Sequence, residues 1–159
     1  MALYKRIIVP LDGSDLAEEA LGQAKELARS IGSPIHLVRV VDTYRAQAIP
    51  ASGMAIDYSM LAELAEEEIE DAKSYMKAKI DELQGEGLSV TGEVLHGPIA
   101  QQIVDAAEPG DVIVMSSHGR TGIKRWFLGS VAEEVMRRAT CPVLLHRASG
   151  AAKTAETTD

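Results

Sequence analysis

The sequence predicts an α/β protein: one open parallel sheet of five strands, doubly wound, with helices on both faces. Three observations predict it. Short apolar runs alternate with segments of helical period from one end of the chain to the other, the pattern of repeated strand–helix crossovers. Three of those runs are apolar almost without interruption, as strands covered on both faces are. At 159 residues, 46% of them apolar, the chain has the size of one domain whose core needs no disulfide or structural metal.

The first run, residues 5–11, contains Ile7, Ile8 and Val9 and predicts the first strand. Leu16, Ala20, Ala24, Leu27, Ala28 and Ile31 then fall on one helical stripe over residues 14–31, stopped by Gly32, Ser33 and Pro34. Residues 35–41, largely continuous in apolar content, form the second strand. Residues 42–57, with Pro50 and Gly53, have no strong period and predict a long mobile connection. Leu61, Leu64, Ala65, Ile69, Ala72, Met76, Ile80 and Leu83 mark a longer helix, and Glu63, Glu66, Glu67, Glu70 and Asp71 read as its solvated face. Residues 88–95 mostly alternate, which suits a strand at the sheet edge. Gly97 and Pro98 open a short third helix. Residues 111–115, likewise largely continuous in apolar content, form a third such strand. The fourth helix begins at Ser130, where Ser130 and Glu133 fit a capping box. Residues 142–146, short and opened by Pro142, predict the other edge strand. Residues 148–159 have nothing to bury and predict a disordered tail behind a domain of residues 1–147.

Composition narrows the function. With 16 basic against 24 acidic residues the net charge is −8, which argues against nucleic-acid binding, since phosphates demand a basic face. Cys141 stands alone and cannot form an internal bridge; a reducing, cytoplasmic setting is predicted. No apolar stretch approaches the roughly 20 residues that span a bilayer, and the amino end has no cleavable signal pattern, so membrane insertion is not expected.

In an open parallel sheet ligands sit beyond the carboxyl ends of the strands, where the winding reverses. Two loops are therefore candidates. One runs from Val9 through Pro10, Asp12 and Ser14. The other runs from Met115 to Val131 and brings Gly119, Gly122 and Gly129 together with Arg120, Lys124 and Arg125 ahead of a helix start. Glycines let backbone N–H groups approach an anion, and a helix amino end offers unsatisfied donors and the positive end of its dipole. A phosphate chain suits such a loop. The competing reading is a surface loop whose glycines make turns and whose Ser130 caps a helix.

Over residues 3–147 these motifs resemble the universal stress protein family: the Val9-Pro-Leu-Asp-Gly-Ser14 opening, Val40-Val-Asp42, His96-Gly97, Ser117-His-Gly-Arg-Thr-Gly122, Leu128-Gly-Ser-Val-Ala132 and Ala139-Thr-Cys-Pro-Val-Leu144. The nucleotide-binding branch of that family carries Gly-x2-Gly-x9-Gly-[Ser/Thr]; the matching positions here are Ser116, Gly119, Gly129 and Ser130. The resemblance implies a Rossmann-like sheet of strand order 3-2-1-4-5, so that both loops flank one crevice, and it implies ATP, with Mg²⁺, as the ligand. Asp12 would face the ribose hydroxyls or a phosphate-bound cation, and Pro10 and Val40 would border the adenine. Met115 and Ser116 would lie beside the ribose. Gly119, Gly129, Ser130 and Val131 would present N–H groups and a hydroxyl to the phosphates, with His118 close by. Other readings stand beside these: Asp12 and Ser14 shaping a turn and capping the first helix, Met115 in the core, His118 pinning its loop. Ser116 departs from the motif. If its φ is positive, serine carries strain that glycine would not; if negative, its hydroxyl can donate to the ligand.

The chain lacks the Walker pattern, and neither loop offers a second acid to activate water as phosphoryl-transfer enzymes do. A receiver domain would need a phosphoacceptor Asp after the third strand of its sheet, where Leu95-His96-Gly97 supplies none, and aromatics, 4% of the chain, are too few to sandwich a flavin. The expectation is an ATP-binding regulatory protein of the stress response with at most weak hydrolysis and with protein partners the sequence does not name. The alternative is a nucleotide-independent interaction module of the same family. In both cases residues 142–146, apolar at Val143, Leu144 and Leu145 and without guarding charges, predict a homodimer by edge-strand pairing, which the resemblance also implies.

Overall fold

A computed structural model describes residues 2–42, 57–119 and 128–148. The core of the predicted long connection, the cations Arg120, Lys124 and Arg125, and the tail from residue 149 onward lie outside the described residues. Nine elements follow one another: β1 (Ile7–Pro10), α1 (Asp15–Ile31), β2 (Ile35–Val41), α2 (Tyr58–Gly85), β3 (Val90–His96), α3 (Ile99–Ala106), β4 (Val112–Ser116), α4 (Ser130–Arg138) and β5 (Val143–His146). The strands form one parallel sheet in the order β3-β2-β1-β4-β5.

The alternation of side chains along each strand divides the core in two. Ile7, Val9, Ile35, Leu37, Val112 and Val114 face α1 and α2, where Ala20, Ala24, Met76 and Leu83 meet them. Ile8, Val38, Ile113 and Met115 face α3 and α4, against Ala100, Ile103, Ala132 and Val135. Small residues on α1 let it lie close to the strands, and all five residues of β4 are buried, as a strand covered on both faces requires.

Four local expectations change. β1 is shorter than residues 5–11, because Lys5 and Arg6 lead into the strand and Arg6 turns its guanidinium to the fully buried Asp111, 2.6 Å away. Leu64, expected in the core, is 51% exposed along with Tyr58 and Met60. The reason is length: 28 residues of α2 span about 42 Å of helix, whereas the seven residues of β3 span about 23 Å, so the amino-terminal half of α2 overhangs the sheet. The capping box at Ser130 does not form: Ser130 is the first helical residue, Gly129 is the cap, and no side chain among the described residues caps α4. Ala148, expected in the tail, is buried and donates its N–H to Ser117 Oγ at 2.9 Å.

Candidate nucleotide site

β1 and β4 are neighbours in the sheet, yet their following helices leave for opposite faces. The loops behind them must part, and a crevice opens at their carboxyl ends. It is a cavity of about 610 Å³, within the range that takes a nucleotide-sized ligand. All ten residues singled out in the sequence line it: Pro10, Asp12, Val40, Met115, Ser116, His118, Gly119, Gly129, Ser130 and Val131. One side is apolar, formed by Val38, Val40, Ile99, Ala100, Ile103 and Met115, and the other is formed by the loops around Asp12, Gly119 and Gly129.

The Asp12 loop is tightly tied. Gly13 turns with φ of +85°, which lets the chain reverse into α1. Asp12 Oδ1 accepts from the Ser14 N–H at 2.9 Å and from its hydroxyl at 2.5 Å, and Ser14 Oγ in turn accepts from the Ala17 N–H at 3.2 Å. Asp12 thus shapes the turn that caps α1 while lining the cavity. Across the crevice, a β-carbon on Gly119 would collide with Asp12 Oδ2, so the glycine lets the second loop close on the first.

At the head of α4, the Gly129 N–H donates to Ser117 O at 2.9 Å. Ser117 is a hub. Its N–H donates to His146 O at 2.8 Å, its Oγ accepts from Ala148, and that Oγ lies 2.9 Å from His118 Nδ1. With Ala148 donating to Oγ, the hydroxyl proton can point at Nδ1, an arrangement that puts the neutral ring's N–H on Nε2. His118 is therefore pinned to its loop and also lines the cavity. Ser116 has no positive φ, since among the described residues only glycines do. Serine is unstrained there.

Several lining residues were not singled out in the sequence. Arg39 is 6% exposed, with its guanidinium centre 5.5 Å from the Tyr75 ring centroid and Nη1 2.7 Å from the place a Gly13 β-carbon would take. Its signal was present: a charge inside the apolar run of residues 35–41. Among the described lining residues it is the one lysine or arginine, facing the acids Asp12, Asp42, Glu68 and Glu134. Tyr75 donates to Glu18 Oε1 at 2.6 Å, and burial first, then that hydrogen bond and the Glu18 charge, push its phenol well above the ordinary value. Glu68 had no signal, being one acid among many on α2.

Comparison with known proteins identifies the family and the fold. The sequence model of the universal stress protein family matches residues 3–147. A universal stress protein of Methanocaldococcus jannaschii, MJ0531, is 38% identical over 145 residues, covering 90% of this chain and 82% of its own. The solved structure of MJ0577 from the same organism superposes with a TM-score of 0.77 at 31% identity, over 92% of this chain and 97% of that one. A universal stress protein of Archaeoglobus fulgidus, solved in complex with dAMP, superposes with a TM-score of 0.57 at 28% identity, over 90% and 98% of the two chains. With its parallel sheet in the order 3-2-1-4-5 and a family match that runs from β1 through β5, this chain belongs to the universal stress protein family.

Proposed function

We propose that the chain binds ATP, accompanied by Mg²⁺, in the cavity between the β1 and β4 loops, and that it works as a nucleotide-dependent regulatory protein of the cytoplasmic stress response. The observation that carries this reading is the two-sided character of one cavity. An apolar slot suited to a purine adjoins the Gly119 and Gly129 backbone and an α4 amino end that no described side chain caps. The Archaeoglobus fulgidus relative in complex with dAMP supports the same class of ligand.

In this reading Pro10 and Val40 border the adenine, Met115 and Ser116 lie beside the ribose, Gly119, Gly129, Ser130 and Val131 offer donors to the phosphates, and His118 presents Nε2–H to them. Asp12 takes part in holding Mg²⁺, which binds nucleotides through one or two carboxylates plus phosphate oxygens and water. The ion would also offset the repulsion between the phosphates and the four lining acids. The protein acts as a homodimer paired through β5. No helix among the described residues is long and apolar enough to cross a membrane.

The test is the nucleotide content of the purified protein, read as excess absorbance at 260 nm and by chromatography of the acid-released ligand, followed by calorimetric titration with Mg²⁺–ATP. Co-purified adenine nucleotide or saturable binding is expected. Protein that arrives nucleotide-free and ignores added ATP overturns the reading in favour of a nucleotide-independent interaction module. Steady release of inorganic phosphate would instead mark an ATPase.

A further inference from the structure

β3 is an edge of the sheet and pairs with β2 alone among the described strands. Ser89 O accepts from the Ile35 N–H at 2.9 Å, and the Gly97 N–H donates to Val41 O at 3.2 Å. Those two bonds fix the alternation: the backbone groups of Thr91, Glu93 and Leu95 face β2, and those of Val90, Gly92, Val94 and His96 turn outward. Gln84 Nε2 donates to Val90 O at 2.9 Å and covers one of them. At Gly92 and Val94 the edge is open. The usual guards of an exposed edge are missing there. β3 has seven residues and no proline, and its one charge, Glu93, belongs to the opposite face, 3.0 Å from His36 Nε2.

The same two residues border a groove. A cavity of about 340 Å³ runs between Gly92 and Val94 on the strand and Met76 and Ile80 on α2. A β-carbon on Gly92 would press on Met76 Cε and Ile80 Cδ1 at 3.0 Å, so the strand presents bare backbone at this point. Glycine inside a strand marks a place where another backbone can approach closely. Lys73 and Lys77, one helical turn apart, form the rim. They pair with Glu70 and Asp81 of their own helix at 2.9 and 2.6 Å, exposed contacts worth little that an incoming carboxylate can replace.

We propose that β3 and this groove are the docking site for an extended, acidic segment of a partner protein, which adds to the sheet as a further strand. Its backbone pairs with Gly92 and Val94, an apolar side chain enters beside Met76 and Ile80, and a carboxylate meets Lys73 and Lys77. The occupant is extended because a row of outward N–H and C=O groups is satisfied in sequence by another strand. It is acidic because the rim is basic, in a chain whose net charge is −8. A second copy of the chain fits poorly: a two-fold axis pairing β3 with β3 sets the two lysine rims side by side, with like charges opposed. The site lies at the opposite edge from β5 and is independent of the nucleotide reading.

The experiment is fluorescence anisotropy of the full chain with a labelled synthetic peptide that alternates valine with glutamate. One control peptide carries lysine in place of glutamate, and another is N-methylated along its backbone. Saturable binding of the glutamate peptide is expected, with both controls at least about tenfold weaker. Val94→Pro removes an outward N–H at a position where an edge strand tolerates the ring, and it should abolish binding. Lys73→Glu combined with Lys77→Glu, both at exposed positions, should weaken the glutamate peptide about fivefold and improve binding of the lysine peptide. Circular dichroism confirms folding, and if Val94→Pro does not fold, the N-methylated peptide and the double lysine variant carry the test. Absence of saturable binding to the glutamate peptide overturns the proposal, as does equal binding of the N-methylated peptide or a charge preference that the lysine substitutions leave unmoved. Self-association of the wild type that Val94→Pro reverses also overturns it, by giving the edge to a second copy.

Discussion

Gly129 sits directly against the Ser117 carbonyl. The Gly129 N–H donates to Ser117 O at 2.9 Å, and a β-carbon on Gly129 would stand 2.7 Å from that same oxygen and 3.4 Å from His118 Cα. With φ of −62°, Gly129 needs no special backbone conformation; it is glycine because two loops meet there. Any side chain forces the loop after β4 away from the head of α4. Gly129→Ala should therefore destabilise the fold by about 1–3 kcal/mol, the scale of overpacking, and weaken ATP binding at least about tenfold. Gly129→Val should abolish binding while circular dichroism shows the sheet retained. Calorimetry that finds wild-type affinity in a folded Gly129→Val would remove this loop from the site.

Asp12 combines two duties that a single substitution can separate. Asn keeps an oxygen able to accept from Ser14 as Asp12 Oδ1 does at 2.9 Å, but it removes the charge. Asp12→Asn should lower thermal stability by no more than about 1 kcal/mol, the scale of one neutral hydrogen bond. It should also erase most of the gain in ATP affinity that Mg²⁺ provides. If Mg²⁺ enhances binding equally in Asp12→Asn and the wild type, Asp12 is a turn residue and not part of a cation site.

At the opposite end of the sheet, Asp111 predicts the acid limb of stability. Its side chain is fully buried, and burial alone would raise its pKa. The Arg6 guanidinium at 2.6 Å and the Glu108 N–H at 2.8 Å more than reverse that and hold it below the ordinary carboxylate value. The native state thus binds this proton less readily than the unfolded chain. Its contribution is complete above the unfolded pKa of about 3.9 and is lost as pH falls through the lower folded value. Asp111→Asn should destabilise by about 2–3 kcal/mol at pH 7, since hydrogen bonds to a charged partner are lost. It should also flatten the fall in urea midpoint between pH 5 and pH 2. An unchanged acid limb in the variant would show that other carboxylates govern it.

The sheet and its helices were legible because hydrophobic period is a local property: Ile7 to Val9, the α1 stripe and the apolar run of β4 each announce themselves within one element. The two loops were legible because both sit at strand ends, where topology gathers ligand-binding groups, whereas the individual lining residues, Val40 in β2 among them, were implied by the family resemblance. What escaped depends on distance across the fold. Ser130 and Glu133 have capping-box spacing, but Gly129 takes the cap position because Ser117 O holds its N–H. Leu64 fits the apolar stripe of α2, but no local pattern records that the sheet ends before the helix does. Arg39 was visible as a charge within an apolar strand, yet its packing against Gly13 and Tyr75 joins three separate segments.

The dimer prediction depends on β5. It closes one side of the sheet, pairing with β4 alone among the described strands, and its Leu144 is 37% exposed while Val143 and Leu145 are half-buried. An edge strand with unpaired N–H and C=O groups and an exposed leucine is a template for a second copy, and a two-fold axis would pair β5 with β5. The same strand reaches the cavity: His146 O accepts from the Ser117 N–H, and Ala148 donates to Ser117 Oγ. Pairing at the edge therefore steadies the residue that holds Gly129, so ATP should tighten the dimer and the dimer should tighten ATP binding by the same factor. Light scattering at micromolar concentration should give twice the 17.0 kDa chain mass. Leu144→Lys should yield a folded monomer that binds ATP more weakly. A wild-type mass near that of one chain overturns the prediction, and a Leu144→Lys monomer with undiminished ATP affinity leaves the dimer standing but removes its link to the site.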